Sequence, residues 1–355
     1  MLRALSGLGH RVDLLTYAQG ESIDVPGVVH ARSLRLPVGR VGPGPSLAKL
    51  VFDVPFMVQA VFRLFTRRYD AVQAVEEAAH LVAPFARLRG VPLVADVDSS
   101  IPEQLRDSGF ARRGPLLWAA EVLEDHALRH AAAVITVCGS LTEGVKRKAP
   151  LARVFQIEDP PLVESAPVDI AAVAALRASL GLGPGPVVLY TGNFEAYQGV
   201  SLLVEAARLV PEAQFLFVGG EKVEIDALQA SAQGRCVFAG KRPPSELSLF
   251  LALGDVLVSP RSRGTNTPFK VYTYLASGKP IVATRIETHT QLLDDTLAYL
   301  VEPTPPGLAH GVRQALGDPT GARARADRGR ALVEREYSRA RYVEKVTAAY
   351  GVLGS

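Results

Sequence analysis

Residues 260–291 read PRSRGTNTPFKVYTYLASGKPIVATRIETHTQ, and their punctuation divides them into a loop, a helix and a buried strand. The apolar run at 255–259, DVLVS, predicts a strand ahead of the loop, and PIVAT at 280–284 predicts another after the helix. Between them, Ser277-Gly278-Lys279-Pro280 is a helix stop placed directly before a strand. The loop therefore sits at a strand's carboxyl end, where doubly wound α/β domains hold their ligands. Pro268 suits the first helical position and Thr267 the cap before it, so the amides of Phe269, Lys270 and Val271 are expected to face an anion. Arg261, Arg263 and Lys270 add positive charge beside them. The same residues also fit an ordinary helix start flanked by solvated arginines. The order strand, loop, helix, strand favours a loop that holds a phosphorylated ligand.

Composition bounds the rest. A chain of 355 residues with 48% hydrophobic content suggests two domains, each with its own core. Lys and Arg number 39 against 36 Asp and Glu, and the net charge of +3 is spread along the chain, which argues against nucleic acid as a partner. Cys138 and Cys236 lie in strand-like runs, AVITVC and RCVFAG, and read as reduced core residues of a cytosolic protein. No metal site is expected from the seven histidines. The most apolar stretch, LVFDVPFMVQAVFRLF at 50–65, contains Asp53, Pro55 and Arg63 and is not a bilayer span. With Arg40, Lys49, Arg67 and Arg68 around it, it fits a helix packed on the first sheet or a surface helix touching anionic lipid.

Strands are expected at 12–17, 71–75, 93–98 and 133–138, with helices between them. The segment 157–167, IEDPPLVESAP, reads as an interdomain linker. A second alternating series follows, with strands at 187–190, 214–218, 236–239, 255–259, 280–284 and 298–301. Residues 317–330 read as an exposed helix or loop, and 337–350 as a helix. The fold class is α/β, with two similar domains in tandem.

This order of motifs resembles the family 4 glycosyltransferases of the GT-B type over essentially the whole chain. GLGHRV at 7–12 is similar to the segment leading into the family's second strand, and LYTGNFEAYQGVSLLVEA at 189–206 to the opening of its donor domain. FVGG at 217–220, FAG at 238–240 and the 260–291 stretch complete the series. The resemblance implies two Rossmann-like domains facing across a cleft: residues 1–160 on the acceptor side, 161–336 binding a nucleotide sugar, and a helix at 337–355 returning to the first domain. It implies retaining transfer of a sugar from a nucleotide diphosphate sugar, with UDP the expected nucleotide, to a saccharide or lipid-linked acceptor. No cofactor or metal ion is implied beyond the donor substrate itself. Cytoplasmic work on cell-envelope polysaccharide, with peripheral membrane contact through residues 40–68, follows as an expectation.

The site residues follow from the same resemblance. Gly192, Asn193, Gln198, Gly219, Gly240, Lys241, Thr265, Asn266, Thr267 and Thr273 fall on the donor-binding motifs. Asp98, Arg263 and Lys270 are the catalytic candidates, and Glu76, Glu77 and Ser99 the acceptor-side ones, although the pair of glutamates fits an acidic helix start better. Departures matter here. The family's two acids in the donor motif are Thr265 and Thr273 in this chain, and its Arg and Lys at the donor-domain opening are Asn193 and Gln198, so phosphate neutralisation leans on Arg263 and Lys270. Asp98 replaces a histidine, either to stabilise an oxocarbenium-like state or to cap the helix above Pro102-Glu103. Residues 1–5 already read as the helix after the family's first strand and glycine-rich turn, so that strand reads as missing, either because this sequence starts late or is a fragment, or as a real absence that would expose apolar edges and lower stability and activity. A sugar-nucleotide epimerase and a non-catalytic binding protein stand as the alternative functions.

Overall fold

The computed structural model describes residues 1–20, 22–35, 47–107, 113–163, 168–232 and 236–353, with only the backbone of 47–50 and 107. The chain divides into two compact units, Met1–Glu158 with Tyr342–Ser355, and Asp159–Arg341.

The first unit carries strands β1 (Val12–Thr16), β2 (Val28–Arg32), β3 (Val72–Val75), β4 (Leu93–Val97), β5 (Ala133–Thr136) and β6 (Val154–Gln156). Its helices are α1 (Leu2–Gly7), α2 (Leu47–Thr66), α3 (Glu77–Arg89), α4 (Ile101–Asp107), α5 (Pro115–His130) and α6 (Gly139–Lys148). All pairing is parallel, in two sheets, β1-β2 and β3-β4-β5-β6. Asp13 on β1 is tied to Arg63 at 2.7 Å, Arg67 at 2.6 Å and Tyr69 at 2.6 Å, linking the strand pair to the end of α2 and the entry to β3. Side chains alternate across β4 and β5. Leu93, Ala95 and Val134 pack with Val82, Ala86 and Leu128 on one face. Val94, Ala133 and Ile135 meet Ala4, Leu5 and Val346 on the other.

The second unit opens with α7 (Ile170–Ser179) and runs through β7 (Val187–Thr191), α8 (Val200–Leu209), β8 (Gln214–Val218), α9 (Lys222–Gln229), β9 (Cys236–Gly240), α10 (Leu247–Leu253), β10 (Val256–Ser259) and α11 (Phe269–Ser277). It continues with β11 (Ile281–Thr284), α12 (Glu287–Thr290), β12 (Tyr299–Val301), α13 (Pro305–Gly317) and α14 (Pro319–Leu332). Its six parallel strands run in the order β12-β11-β10-β7-β8-β9. Val188, Tyr190 and Phe217 pack under Leu203, Leu308 and Val312. Val187, Leu189 and Leu216 pack under Phe250, Val271 and Tyr274. Burial on both faces explains the near-continuous apolar runs that mark these strands.

Several expectations need correction. Strands β2 and β6 were not anticipated. The linker expected at 157–167 begins later: Ile157 is in the core of the first unit, and the buried Glu158 carboxylate pairs with Lys345. Residues 164–167 of that segment lie outside the described residues. The stretch at 317–330 is helical, and it buries Ala322, Ala326 and Gly329 against the domain. A π-helical turn, Val333–Tyr337, precedes the last helix, α15 (Arg339–Gly351). Cys138 is buried and Cys236 half-buried, both as free thiols.

Candidate functional site

The sheet order places a topological switch in the second unit. From β7 the chain builds outward to β8 and β9 on one side and to β10, β11 and β12 on the other. Ligands of open parallel sheets lodge outside the carboxyl ends of the strands at such a point. The carboxyl ends of β7 and β10 lead to Gly192 and to the 260–267 loop.

Backbone from neighbouring strands comes together there with no room for side chains. The Gly192 amide donates to the Val218 carbonyl at 2.9 Å, and the Gly219 amide to the Gly240 carbonyl at 2.8 Å. Gly219 has φ +120°, and a Cβ on it would stand 1.9 Å from the Gly192 carbonyl oxygen. Gly192 has φ +140°, and a Cβ there would meet the Lys270 ammonium at 2.7 Å. Gly219 demands glycine for conformation and for space, and Gly192 for conformation, since the Lys270 chain end could move aside.

Lys270, in the first turn of α11, turns its Nζ inward. It lies 3.9 Å from the centre of the Tyr190 ring and donates to Gln198 Oε1 at 3.1 Å. Tyr190 is itself fixed by donating to the Asn193 carbonyl at 2.6 Å. Burial, with the Arg261 guanidinium nearby, holds the Lys270 pKa well below the ordinary lysine value. A negative ligand beside Nζ would raise that pKa again.

Arg261 is 8% exposed. Its Nε donates to the Arg263 carbonyl at 2.8 Å, and its two terminal nitrogens reach the carbonyl and Oδ1 of Asn266 at 3.1 and 3.0 Å. The guanidinium lies 5.0 Å from the Tyr197 ring centre. It braces the loop from inside as well as supplying charge.

The start of α11 differs from the expected one. Pro268, at φ −64° and ψ 125°, is the cap residue, and the helix begins at Phe269. The Val271 amide is already bonded to the Pro268 carbonyl at 2.9 Å, leaving the amides of Phe269 and Lys270 as the first-turn donors without an intrahelical acceptor. Thr267 is buried and does not cap.

Of the donor-side candidates, Gly192, Gln198 and Lys270 meet directly, with Gly219 and Gly240 alongside. Asn193 is exposed beside them, and Arg263 is exposed on the loop. Thr265 and Asn266 contribute carbonyls to the loop's bracing. Thr273 is buried, and its hydroxyl accepts the Leu162 amide at 3.1 Å. Lys241 is ion-paired with Glu221. A hollow of about 400 Å³ opens beside Gly220, Ile225, Gly240 and Lys241. Sequence reasoning passed over Tyr190, Tyr197 and Tyr274, whose hydroxyl accepts the Thr191 amide at 2.8 Å. A tyrosine inside an apolar strand or helix carries no signal separating it from core.

In the first unit, Glu76 joins β3 to α3 at φ 49° and ψ −124°, the one non-glycine residue with positive φ among the described residues. Such a conformation costs about 1–3 kcal/mol. Its amide donates to the Asp96 carbonyl at 2.8 Å, and its carboxylate accepts from Ser99, which in turn accepts from Gln104. The Tyr17 hydroxyl donates to Asp53 and lies 3.4 Å from Glu77 Oε1. Asp98 stands half-buried just past β4. The residue ahead of α4 is Ser100, whose carbonyl takes the Gln104 amide at 3.0 Å and whose hydroxyl donates to the buried Glu124 at 2.9 Å.

His126 and His130 lie four apart on α5, with stacked rings 4.3 Å between centres. Among the described residues, no three His, Cys, Asp or Glu side chains are grouped to hold a metal ion.

Residues 1–159 match the family described as glycosyl transferase 4-like domain, and residues 185–318 match glycosyl transferases group 1. The alpha-D-kanosaminyltransferase of Streptomyces kanamyceticus is 27% identical over 285 residues, covering 76% of this chain and 72% of that one. The sulfoquinovosyl transferase SQD2 of Arabidopsis thaliana is 31% identical over 110 residues, 31% of this chain and 21% of that one. In fold, the chain is similar to a sucrose-phosphate synthase from Thermosynechococcus elongatus, with TM-score 0.80, 22% identity and coverage of 99% and 91%. It is also similar to Anabaena HepE, solved in complex with UDP and glucose, with TM-score 0.72, 18% identity and coverage of 91% and 86%.

Proposed function

Because the chain belongs to the group 1 glycosyl transferases, with a glycosyl transferase 4-like domain ahead of the group 1 domain, we propose that it moves a sugar from a UDP-sugar to a saccharide or lipid-linked acceptor, with retention and without a metal ion. The observation that carries the donor side is the inward Lys270 ammonium at the switch point, beside the glycine-lined ends of β7, β8 and β9. A nucleoside diphosphate fits this chemistry. Its phosphates meet Lys270, Arg261, Arg263 and the first amides of α11, and the hollow beside Gly220 and Lys241 has room on the base side. The UDP bound in the HepE structure supports the choice of base.

In the transfer, the bond from the anomeric carbon to the diphosphate breaks and its electron pair leaves with the diphosphate. The acceptor oxygen bonds to the same carbon, and its proton ends on the departing diphosphate. Charge gathering on the leaving group is what Lys270 and its neighbours offset. Asp98 would steady the positive carbon, and Glu76, held by Ser99, would bind acceptor hydroxyls.

The product decides this proposal. With EDTA present, NMR of the transferred sugar is expected to show the donor's anomeric configuration at an unchanged rate. An inverted linkage, or turnover lost to EDTA and restored by Mg²⁺, would overturn the retaining, metal-free assignment. A free or epimerised sugar without acceptor would favour an epimerase.

A membrane-facing acceptor side draws support from α2. Val51, Val54, Val58, Phe62 and Phe65 are 51, 64, 63, 65 and 44% exposed and fall on one helical stripe, while Phe52 and Leu64 are buried on the other side. Arg67 and Arg68 follow at its end. Arg40 lies outside the described residues. No described helix is long and apolar enough to cross a membrane, so the contact would be interfacial, at the inner face of the membrane for a cytoplasmic enzyme. Sedimentation with vesicles containing phosphatidylglycerol is expected to carry the protein down, and Val58→Asp with Phe62→Asp to reduce this severalfold. Binding unchanged by the double substitution would remove α2 from the interface.

A further inference from the structure

The loop at 260–267 is held from a second direction, by α12 and the residue after it. The imidazole of His289 is fully buried between Ser259 at the end of β10 and Thr284 at the end of β11. Its Nδ1 lies 2.8 Å from the Thr284 carbonyl oxygen, which only accepts, so Nδ1 carries the proton. Its Nε2, 2.8 Å from Ser259 Oγ, then accepts the serine hydroxyl. Burial pushes the ring's pKa down to about 4, which keeps it neutral around pH 7.

Thr284 passes the constraint on. Its hydroxyl donates to the Arg261 carbonyl, and the Arg261 side chain holds Arg263 and Asn266 as described above. Two residues beyond His289, Gln291 donates from Nε2 to the Thr265 carbonyl at 2.9 Å. The near end of the loop is thus held through His289 and Thr284, and the far end through Gln291.

We propose that the turn from Glu287 to Gln291 is a clasp that sets the shape of the 260–267 loop, with His289 and Gln291 as positioning residues. For its effect on turnover this rests on the donor-site assignment; for its effect on the loop it does not. Side chains that lock the groups around a site reduce the loss from misplacement of reacting groups.

The test is hydrogen exchange at loop amides, read beside donor and acceptor kinetics. The reporter is Ser262, whose amide is bonded to the Tyr197 carbonyl at 2.9 Å. Gln291→Ala is expected to speed exchange across 261–267 by about tenfold while core strands keep their protection. The nucleotide-sugar KM should rise about tenfold with the acceptor KM unchanged. His289→Gln, which keeps an acceptor and a donor, should fall between wild type and His289→Ala. If His289→Ala does not fold, Gln291→Ala carries the test alone. Loop exchange unchanged in Gln291→Ala, or a lowered melting temperature with unchanged donor KM, would overturn the clasp. If the wild-type protein takes no nucleotide sugar, the donor assignment fails, and loop exchange still decides the clasp.

Discussion

Lys270→Ala is expected to lower kcat/KM for the nucleotide sugar by about 10²–10³, the usual loss when one preorganised group facing developing charge is removed. The Lys270 Nζ is held 3.9 Å from the Tyr190 ring centre and 3.1 Å from Gln198 Oε1, so the alanine variant removes the cation that these two groups place at the carboxyl edge of the sheet. Thr265→Ala should cost far less, because it is the Thr265 carbonyl that the structure engages. A pH signature accompanies the loss. Burial and Arg261 depress the Lys270 pKa in the empty site, and a bound diphosphate raises it, so binding takes up a proton between the two values. Affinity should therefore fall as pH rises through that window and level off below it. Calorimetry in buffers of different ionisation enthalpy would detect the proton taken up, and Lys270→Met should abolish it.

Gly219→Ala is expected to be the most damaging single methyl addition at this edge of the sheet. The new Cβ would stand 1.9 Å from the Gly192 carbonyl oxygen on a backbone at φ +120°. The contact is with backbone of the adjacent strand end, so no side chain can rotate away to relieve it. Strain at φ and overpacking together suggest a loss of roughly 2–6 kcal/mol. Chemical denaturation would measure it. The Gly192 end of β7 would be displaced from Lys270, so nucleotide binding should fall even under conditions where the variant is folded. Glycine at 317, with nothing within 4 Å of an added Cβ, is the control and should tolerate alanine.

How much of this was legible depends on how local the cause is. The second unit's strands were visible because β7, β8, β10 and β11 are buried on both faces and their sequences are close to unbroken apolar runs. Strand β2, VVHAR, is only partly buried, and β6 has three residues, so neither shows a pattern above its surroundings. The first residue of α11 was misplaced because a proline fixes φ but not ψ, and φ −64° suits both a cap and a first helical position.

Lys270 is a candidate legible in the sequence because it sits beside a recognisable helix start. The Thr273 hydroxyl was assigned to the donor on motif position alone, and its engagement with Leu162 depends on a chain segment 111 residues away. The His289 network was invisible for the same reason. Its members at 259, 284 and 291 become neighbours only when β10 pairs with β11 in register, Ser259 opposite Ala283. Glu76 shows the limit most clearly, since nothing in the pair Glu76-Glu77 announces a positive φ.

The central claim is that the carboxyl edge of the second unit's sheet binds a nucleoside diphosphate sugar through Lys270. It is tested most directly by a thermal-shift titration of the wild-type chain and Lys270→Ala with UDP, GDP, ADP and TDP and their glucose forms. A ligand that binds only the folded state raises apparent stability by about 2.7 kcal/mol at a hundredfold excess over Kd. A concentration-dependent shift with UDP and its sugar, strongly reduced in a Lys270→Ala protein that melts cooperatively on its own, is the predicted result. No shift with any nucleotide in the folded wild-type chain, or the same shift in the variant, would contradict it.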